Sequence, residues 1–193
     1  LPDFINKMME NKWLGSKTGQ GFYKKENLTP ALSKGEGAKP QILSLDLDTL
    51  EYRPNKKASF ATLELTKSIE KPIDRFKILV TGKDKAGDFY RKNFSAMFAY
   101  CSNRIPEISN DLYKLDDAMK AGFGWENGPF EIWDAIGVEK AIELMKNEGL
   151  TPATWVTEML QANIQSFYTV KDGATYYYNI QQKNYEKIPG QDA

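Results

Sequence analysis

The chain has 193 residues, of which 41% are hydrophobic, and its 26 Lys and Arg residues balance 26 Asp and Glu residues. This composition supports a packed core rather than a disordered segment, and a neutral chain without a basic stripe is a poor partner for nucleic acid. No apolar run approaches the roughly 20 residues that a membrane-spanning helix needs, and the sequence contains no histidine.

Cys101 is the single cysteine, which excludes an intrachain disulfide and a thiolate metal cluster. It lies at helical spacing from Phe94, Phe98 and Ile105, so we expect it to be buried. A nucleophilic cysteine normally needs a histidine partner to form its thiolate. The chain opens directly into a helical pattern without a signal peptide, as we expect of a segment cut from a longer protein. The lack of a signal peptide and the single cysteine together favour the cytoplasm.

The first predicted element is an amphipathic helix over residues 3–13, with Gly15 placed to end it. A glycine-rich turn then leads into an aromatic strand at Phe22 and Tyr23. Residues 26–40 are mostly polar and carry glycines and prolines, which predicts an exposed excursion.

Alternation at Leu43, Leu45 and Leu47 predicts a strand, and residues 50–53 are placed to return as the second strand of a hairpin. From residue 58 the pattern is helical again. Start and stop signals predict one helix from Pro72 to Gly82, a second over 84–104, and a third over 112–121 that Gly122 ends. A fourth begins at Gly128-Pro129 and ends at Gly137, a fifth lies between Gly137 and Gly149, and a sixth begins at Thr151-Pro152.

The last predicted helix repeats the pattern of the first. Trp155, Val156, Met159 and Leu160 take the places of Phe4, Ile5, Met8 and Met9, and each helix is followed by glycine and then aromatic residues. This self-similarity suggests two copies of one module. Shared helix-and-hairpin patterning could also produce it by chance.

Three groups of residues invite a functional interpretation. The glycines at 15–21 have neither phosphate-loop spacing, and a helix precedes them where those motifs need a strand. The acidic residues Asp116, Asp117, Glu126, Glu131 and Asp134 could supply an acid/base pair, but helix capping and the helix dipole explain them without catalysis. The tyrosines at 176–178, with Tyr168 and Tyr185, are more typical of strand packing than of a stacking platform. Without histidine or a calcium-type loop, no metal site is predicted.

The segment Asp116 to Gly137, DDAMKAGFGWENGPFEIWDAIG, is a more specific signal than these three groups of residues. It closely resembles the C-terminal-domain signature of the 3-hydroxyacyl-CoA dehydrogenases, and LGSKTGQGFY at residues 14–23 is similar to the end of such a domain. The resemblance implies a mainly α fold, a helical bundle of the 6-phosphogluconate-dehydrogenase C-terminal-like type with short β-hairpins. It also explains the repeat, because long multidomain members carry two related C-terminal domains.

The resemblance implies a parent enzyme that oxidises 3-hydroxyacyl-CoA with NAD in fatty-acid β-oxidation. In the family the histidine base and its orienting glutamate belong to the NAD-binding domain, and no position here matches them. We therefore expect this chain alone to be inactive, with no catalytic, cofactor-binding or metal residues and no bound NAD. The matched residues, expected to serve domain pairing or to lie near the acyl-CoA substrate, are Gly122, Phe123, Gly124, Trp125, Gly128, Pro129, Phe130 and Asp134, with Gly137 after them.

On this interpretation residues 1–25 are the tail of a first helical C-terminal domain, 26–57 an exposed linker and hairpin, 58–165 the second helical C-terminal domain, and 166–193 an aromatic hairpin tail. Phe123, Trp125, Phe130 and Trp133 are expected to supply buried contacts. The expected partner is the NAD-binding domain of the same protein, with some self-association through a Phe/Trp face. The alternative is a stand-alone helical module that binds a protein partner through exposed aromatic residues; a hydrolase built on Glu131 and Asp134 is a third possibility.

Overall fold

The structure is a computed structural model that describes residues 1–26 and 40–190. Within these ranges the chain forms eight α-helices and two small antiparallel sheets, so the predicted mainly α class is confirmed. It divides into two compact units, Leu1–Ala58 and Ser59–Ala193. None of the helices described is both long and apolar enough to cross a membrane.

The first unit combines one helix with one sheet. Its elements are α1 (Asp3–Glu10), a 3-10 turn (Ser16–Thr18), β1 (Tyr23–Glu26), β2 (Gln41–Leu45) and β3 (Tyr52–Pro54). The strands lie in the order β1-β2-β3, each antiparallel to its neighbour. Because successive side chains of a strand point to opposite faces, β2 buries Leu43 and Leu45 while Ile42 is exposed.

The ends of these elements differ from the sequence predictions for local reasons. α1 ends at Glu10 rather than at Gly15, since Lys12 takes a left-handed conformation with φ 59°. The predicted hairpin is confirmed as the β2–β3 pair, but β2 ends before Leu47 because Asp46 begins the turn. The predicted polar excursion lies almost wholly in residues 27–39, outside the described residues.

The second unit contains the remaining helices and the second sheet. The helices are α2 (Ala61–Thr66), α3 (Pro72–Thr81), α4 (Lys85–Arg104), α5 (Leu112–Phe123), α6 (Pro129–Ile136), α7 (Val138–Asn147) and α8 (Thr154–Gln161). The strands β4 (Tyr168–Lys171), β5 (Ala174–Asn179) and β6 (Asn184–Lys187) form an antiparallel sheet in chain order. The tail predicted as a hairpin therefore has a third strand.

Helix starts with a local signal are predicted correctly. Pro72 and Pro129 are the first residues of α3 and α6, where a missing N–H costs nothing. The Asp84 carboxylate accepts the N–H of Gly87 at 3.0 Å and caps α4.

Two other boundaries were predicted wrongly. The left-handed residue that ends α5 is Gly124, with φ 66°, and not Gly122, which lies within the helix. α8 begins at Thr154 rather than at Thr151-Pro152, because the Ala153 N–H donates to the Ser102 hydroxyl and its φ and ψ are extended. A contact 51 residues distant in sequence sets this boundary.

Aromatic rings fill the core of the second unit. Phe98 stacks on Trp133 with ring centroids 4.8 Å apart, and Phe167 contacts both Trp133 and Phe130 at 5.0 Å. Tyr177 and Tyr178 of β5 belong to the same buried cluster, as the packing interpretation of the tyrosine run predicts. The sheet is therefore part of the core that the helices enclose.

The predicted burial of Cys101 is confirmed. Burial, with a smaller contribution from the Asp116 carboxylate, raises the pKa of its thiol to about 12. Cys101 is therefore a thiol at neutral pH and packs as a small apolar side chain.

Candidate functional site

The signature segment surrounds a buried carboxylate, that of Asp116 in the middle of α5. Its Oδ1 accepts the backbone N–H of Phe130 at 2.9 Å, and its Oδ2 accepts that of Glu131 at 3.0 Å. These are two of the first N–H groups of α6, which have no partner within their own helix. Asp116 therefore caps the following helix from the side, across the loop between α5 and α6.

Asp134, in the last turn of α6, caps backbone N–H groups at the start of the sheet in the same way. Its two carboxylate oxygens accept the backbone N–H groups of Phe167 and Tyr168, at 2.8 and 2.9 Å. The Tyr168 hydroxyl in turn donates to Oδ2 of Asp116 at 2.9 Å. One tyrosine thus joins both carboxylates, and the network ties α5, α6 and β4 together.

Glu131 completes the cluster at its solvent side. Its Oε2 accepts the backbone N–H of Gly128 at 2.8 Å, and its Oε1 accepts the ammonium group of Lys120 at 2.8 Å. A first-turn carboxylate that accepts the N–H of the N-cap residue forms the reciprocal half of a capping box. Its negative charge also interacts favourably with the positive end of the helix dipole.

The environment raises the pKa of both buried aspartates. Burial is the largest cause, and it raises the pKa of Asp116 and of Asp134 to about 7, although the N–H donors act in the opposite direction. Burial, together with the Asp116 charge, also raises the pKa of the Tyr168 hydroxyl, so that it remains a donor. Both carboxyls have their oxygens engaged by protein groups, which leaves them poorly placed to exchange protons with a substrate.

Gly128 allows this arrangement by bringing two backbones close together. A Cβ at position 128 would lie 2.2 Å from the Cβ of Asp116, far inside contact distance. The glycine of the Gly-Pro-Phe sequence is therefore required by a close approach of α5 to the start of α6, since its φ of −81° is one that any residue adopts.

The structure divides the predicted motif residues into two groups. Gly128, Pro129 and Phe130 are buried, and Asp134 is half-buried within the hydrogen-bond network. By contrast Gly122, Phe123, Gly124 and Trp125 lie in an exposed stretch. The expectation that Phe123 and Trp125 supply buried contacts is therefore wrong: Phe123, the last residue of α5, is 75% exposed, and Trp125 is 38% exposed.

The exposed half of the motif borders a cavity of about 380 Å³ in the second unit. Trp125 lines it together with Phe76 and Phe94, and Glu126 and Asn127 contribute its polar atoms. The lining is mainly apolar and opens to solvent.

A dinucleotide does not fit the glycine-rich turn of the first unit. The turn closes on itself, with the Gly15 N–H bonded to the Gln20 carbonyl at 2.9 Å and the Thr18 hydroxyl bonded to the Gly15 carbonyl. A strand follows the turn, whereas a pyrophosphate site needs the N-terminus of a helix. This turn therefore lacks the helix N-terminus on which a dinucleotide-binding loop depends.

The carboxylates do not form a hydrolase pair. Glu131 and Asp134 are both held in capping hydrogen bonds, so neither carboxylate is a free acid or base. Within residues 1–26 and 40–190 no group of Cys, Asp and Glu side chains is arranged to hold a metal ion.

Sequence reasoning missed the two residues that connect the cluster. The sequence predicts only strand packing for Tyr168 and a capping or dipole role for Asp116. Asp116 does cap a helix, but it lies in the middle of α5 and caps α6 instead of its own helix. A buried acid on the apolar side of a helix, just before a Gly-Pro start signal, is the signal that could have identified Asp116.

Comparisons with known proteins agree with the motifs. A protein of Bacillus subtilis named as a probable 3-hydroxyacyl-CoA dehydrogenase is 37% identical over 179 residues, which are 93% of this chain and 21% of that protein. A Rickettsia prowazekii protein that carries the name of a fatty acid oxidation complex trifunctional enzyme is 26% identical over 128 residues, 66% of this chain and 15% of that protein. No protein-family model matches the chain, and no solved structure does.

The chain spans only about a fifth of the length of the curated relatives that it matches. The similarity nevertheless covers nearly the whole chain, 93% of it. The chain is thus similar to proteins named as 3-hydroxyacyl-CoA dehydrogenase or as fatty acid oxidation trifunctional enzyme, and it fits a C-terminal fragment of such a larger protein.

Proposed function

We propose that this chain is the C-terminal helical region of an NAD-dependent 3-hydroxyacyl-CoA dehydrogenase of fatty-acid β-oxidation, located in the cytoplasm. Its role is structural: it pairs with the NAD-binding domain of the same protein and helps to close the acyl-CoA site. In that reaction a hydride passes from C3 of the substrate to NAD⁺, and the hydroxyl proton passes to a histidine base. No residue of this sequence matches that histidine.

The observation that supports this proposal most directly is the engagement of the signature carboxylates. Asp116 and Asp134 are the two acids at the centre of the signature's hydrogen-bond network, and both oxygens of each carboxylate accept backbone N–H groups. A site built in this way holds helices and sheet in one arrangement but offers no free base. It suits a scaffold on which chemistry takes place elsewhere.

The exposed half of the motif is the part available to a partner. Trp125 lines the apolar cavity, and Phe123, two residues before it in sequence, is 75% exposed. Exposed apolar side chains of this kind mark contact sites. We assign the face around Phe123 and Trp125 to contact with the NAD-binding domain. When that domain is missing, the same face accounts for the self-association we expect of the isolated chain.

Two measurements test this proposal. The purified chain is assayed for NAD reduction with a 3-hydroxyacyl-CoA, alone and with the separately produced NAD-binding domain; turnover by the chain alone would overturn the structural role. Calorimetric titration then measures binding to that domain. The double substitution Phe123→Ser and Trp125→Ser should weaken binding at least about tenfold, whereas Phe89→Ser, an exposed aromatic residue on α4, should not.

Failure of the wild-type chain to bind the NAD-binding domain would contradict the proposal directly. High affinity for an unrelated peptide in the same titration would instead favour a stand-alone interaction module.

A further inference from the structure

The two units share one structural module, and the correspondence holds for individual hydrogen bonds. α1 and α8 both end through a residue with positive φ, Lys12 at 59° and Asn163 at 62°. The N–H of each donates to the residue three positions earlier, Lys12 to Met9 at 3.0 Å and Asn163 to Leu160 at 2.9 Å.

The strands that follow these helices correspond as well. The Tyr52 hydroxyl of β3 donates to the carbonyl of Gly21 at 2.6 Å, and the Tyr185 hydroxyl of β6 donates to that of Ser166 at 2.8 Å. Both carbonyls lie just before the first strand of their sheet. Each tyrosine thus fastens the third strand to the entry of the first.

The turns between the second and third strands are also the same. Oδ1 of Asp46 in the first unit and Oδ1 of Asn179 in the second each accept the backbone N–H groups of the second and third residues that follow. Each turn then passes through a residue of positive φ, Leu50 at 59° and Lys183 at 51°. Agreement at this level identifies Leu1–Ala58 and the end of the second unit as copies of one module.

The two copies differ in what covers them. Phe4 and Phe22 form an edge-on pair with centroids 6.4 Å apart at 65°, and Trp155 and Phe167 form the equivalent pair at 5.8 Å and 67°. Phe167 is fully buried, but Phe22 is 47% exposed. The same aromatic face is therefore closed in one copy and open in the other.

In the second unit α6 closes this face. The rings of Phe130 and Trp133 lie 5.0 Å from that of Phe167, and the Asp134 carboxylate accepts the N–H groups of Phe167 and Tyr168. In the first unit, Phe22 corresponds to Phe167 and Tyr23 to Tyr168. This correspondence follows because β1 pairs with β2 in the same register as β4 pairs with β5.

We propose that the face formed by Phe4, Phe22 and the N–H groups of Phe22 and Tyr23 binds a helical hairpin of the α5–α6 type. The second helix of this partner carries aromatic residues that cover Phe22, and a carboxylate at the position of Asp134 that accepts both N–H groups. A second copy of this chain cannot supply that helix intact, because its own Asp134 is already occupied by its own β4. The partner is a further helical segment of the same pattern.

The test uses the full chain, labelled with ¹⁵N, and a synthetic peptide of residues 110–137. Lactam crosslinks on its exposed sides hold the peptide helical, and circular dichroism verifies its helicity before titration. We expect the Phe22 and Tyr23 amides to shift and to exchange more slowly with solvent. The Phe167 and Tyr168 amides, which are already covered, serve as the internal control and should not change.

Matched changes on both sides define the contact. A peptide with Asp134→Ala should bind about tenfold more weakly or worse, because two buried hydrogen bonds to a charged group are lost. In the chain, Phe22→Ser should abolish binding, whereas Ile42→Ser on the outer face of β2 should preserve it. A helical peptide with a Kd weaker than about 1 mM, or shifts outside the first unit, would overturn the proposal. Neither result depends on dehydrogenase activity, which is not measured.

Discussion

Asp116 is a carboxylate in the middle of one helix that stabilises the beginning of the next. Its oxygens accept two backbone N–H groups and one hydroxyl, so its removal leaves three donors without their partner in the protein interior. Unmet donors of this kind each cost roughly 1–3 kcal/mol. The side chain therefore contributes to folding through groups 14 to 52 residues away in sequence.

Substituting Asp116 should destabilise the chain strongly. We expect Asp116→Ala to lower the free energy of unfolding by about 3 kcal/mol, measured by urea denaturation. Asp117→Ala is the matched control, since Asp117 is its neighbour on the exposed side of α5 and forms only a 3.4 Å ion pair with Lys120. It should change the free energy of unfolding by no more than about 0.5 kcal/mol. Equal effects of the two substitutions would contradict the capping role.

The raised pKa of Asp116 predicts a pH dependence of defined sign. The pKa of Asp116 is about 7 in the folded chain, against 3.8 for an ordinary aspartate. At pH values between 3.8 and about 7, the carboxyl is therefore protonated in the folded state but ionised in the unfolded state. The stability that this proton contributes is fully present below pH 3.8 and is lost as the pH rises through about 7. The unfolding free energy of the wild type, relative to that of Asp116→Asn, should therefore fall from pH 5 to pH 8. A difference that stays constant or rises would refute the assignment.

At the scale of elements, the crossing of α5 with the start of α6 depends on the absence of a side chain at Gly128. The two helices are joined there by the Asp116 cap and by the Lys120–Glu131 ion pair. Neither contact could form at a greater separation. The Gly-Pro pair thus sets both where α6 begins and how closely α5 approaches it.

A pair of glycine substitutions, one at the close approach and one away from it, tests this requirement. Gly128→Ala should lower the free energy of unfolding by more than about 2 kcal/mol, because the added methyl group collides with the Cβ and Cγ of Asp116. Gly122→Ala should stabilise the chain by up to about 1 kcal/mol, since Gly122 is helical and nothing lies within 4 Å of the new Cβ. Thermal and urea denaturation of both variants measure these changes. A tolerated Gly128→Ala would show that the helices are free to separate.

The elements were predictable where the cause of their boundaries is local. Pro72, Asp84 and Pro129 mark helix starts through their own backbone or side-chain chemistry, and each was predicted correctly. The start of α8 could not be predicted, because it depends on Ser102, which is brought near only by folding.

The candidate site shows the same division. The burial of Phe130 follows from its place on the apolar side of α6. Phe123 lies in the same motif but is exposed at the end of α5, and the residue type alone does not show whether a side chain at a helix end is covered. The connection of Asp116 to Tyr168 spans 52 residues and left no local pattern in the sequence.

At the scale of the whole chain, two copies of one module carry very different cores. The second unit buries a continuous aromatic cluster formed by helices and sheet together. The first has Met8, Leu43 and Leu45 as its buried apolar side chains among the residues described. Local opening requires less energy where fewer apolar contacts must break, so we expect the first unit to be less stable.

Two equivalent amides measure this difference directly. The Leu45 N–H donates to the Phe22 carbonyl at 2.9 Å, and the Tyr178 N–H donates to the Phe167 carbonyl at 2.7 Å. After correction for intrinsic rates, the Leu45 amide should exchange with deuterium at least about tenfold faster than the Tyr178 amide. Equal protection of the two would show that the smaller core is sufficient to stabilise the module.

The carboxylate of Asp134 also has a consequence for biosynthesis. Its donors, Phe167 and Tyr168, follow it by 33 and 34 residues, so α6 leaves the ribosome well before the strand that satisfies it. Until β4 arrives, the nascent helices present an unsatisfied acid beside the uncovered rings of Phe130 and Trp133. Completion of this fold therefore waits until β4 has been synthesised, and the nascent chain before that point is a natural substrate for chaperones.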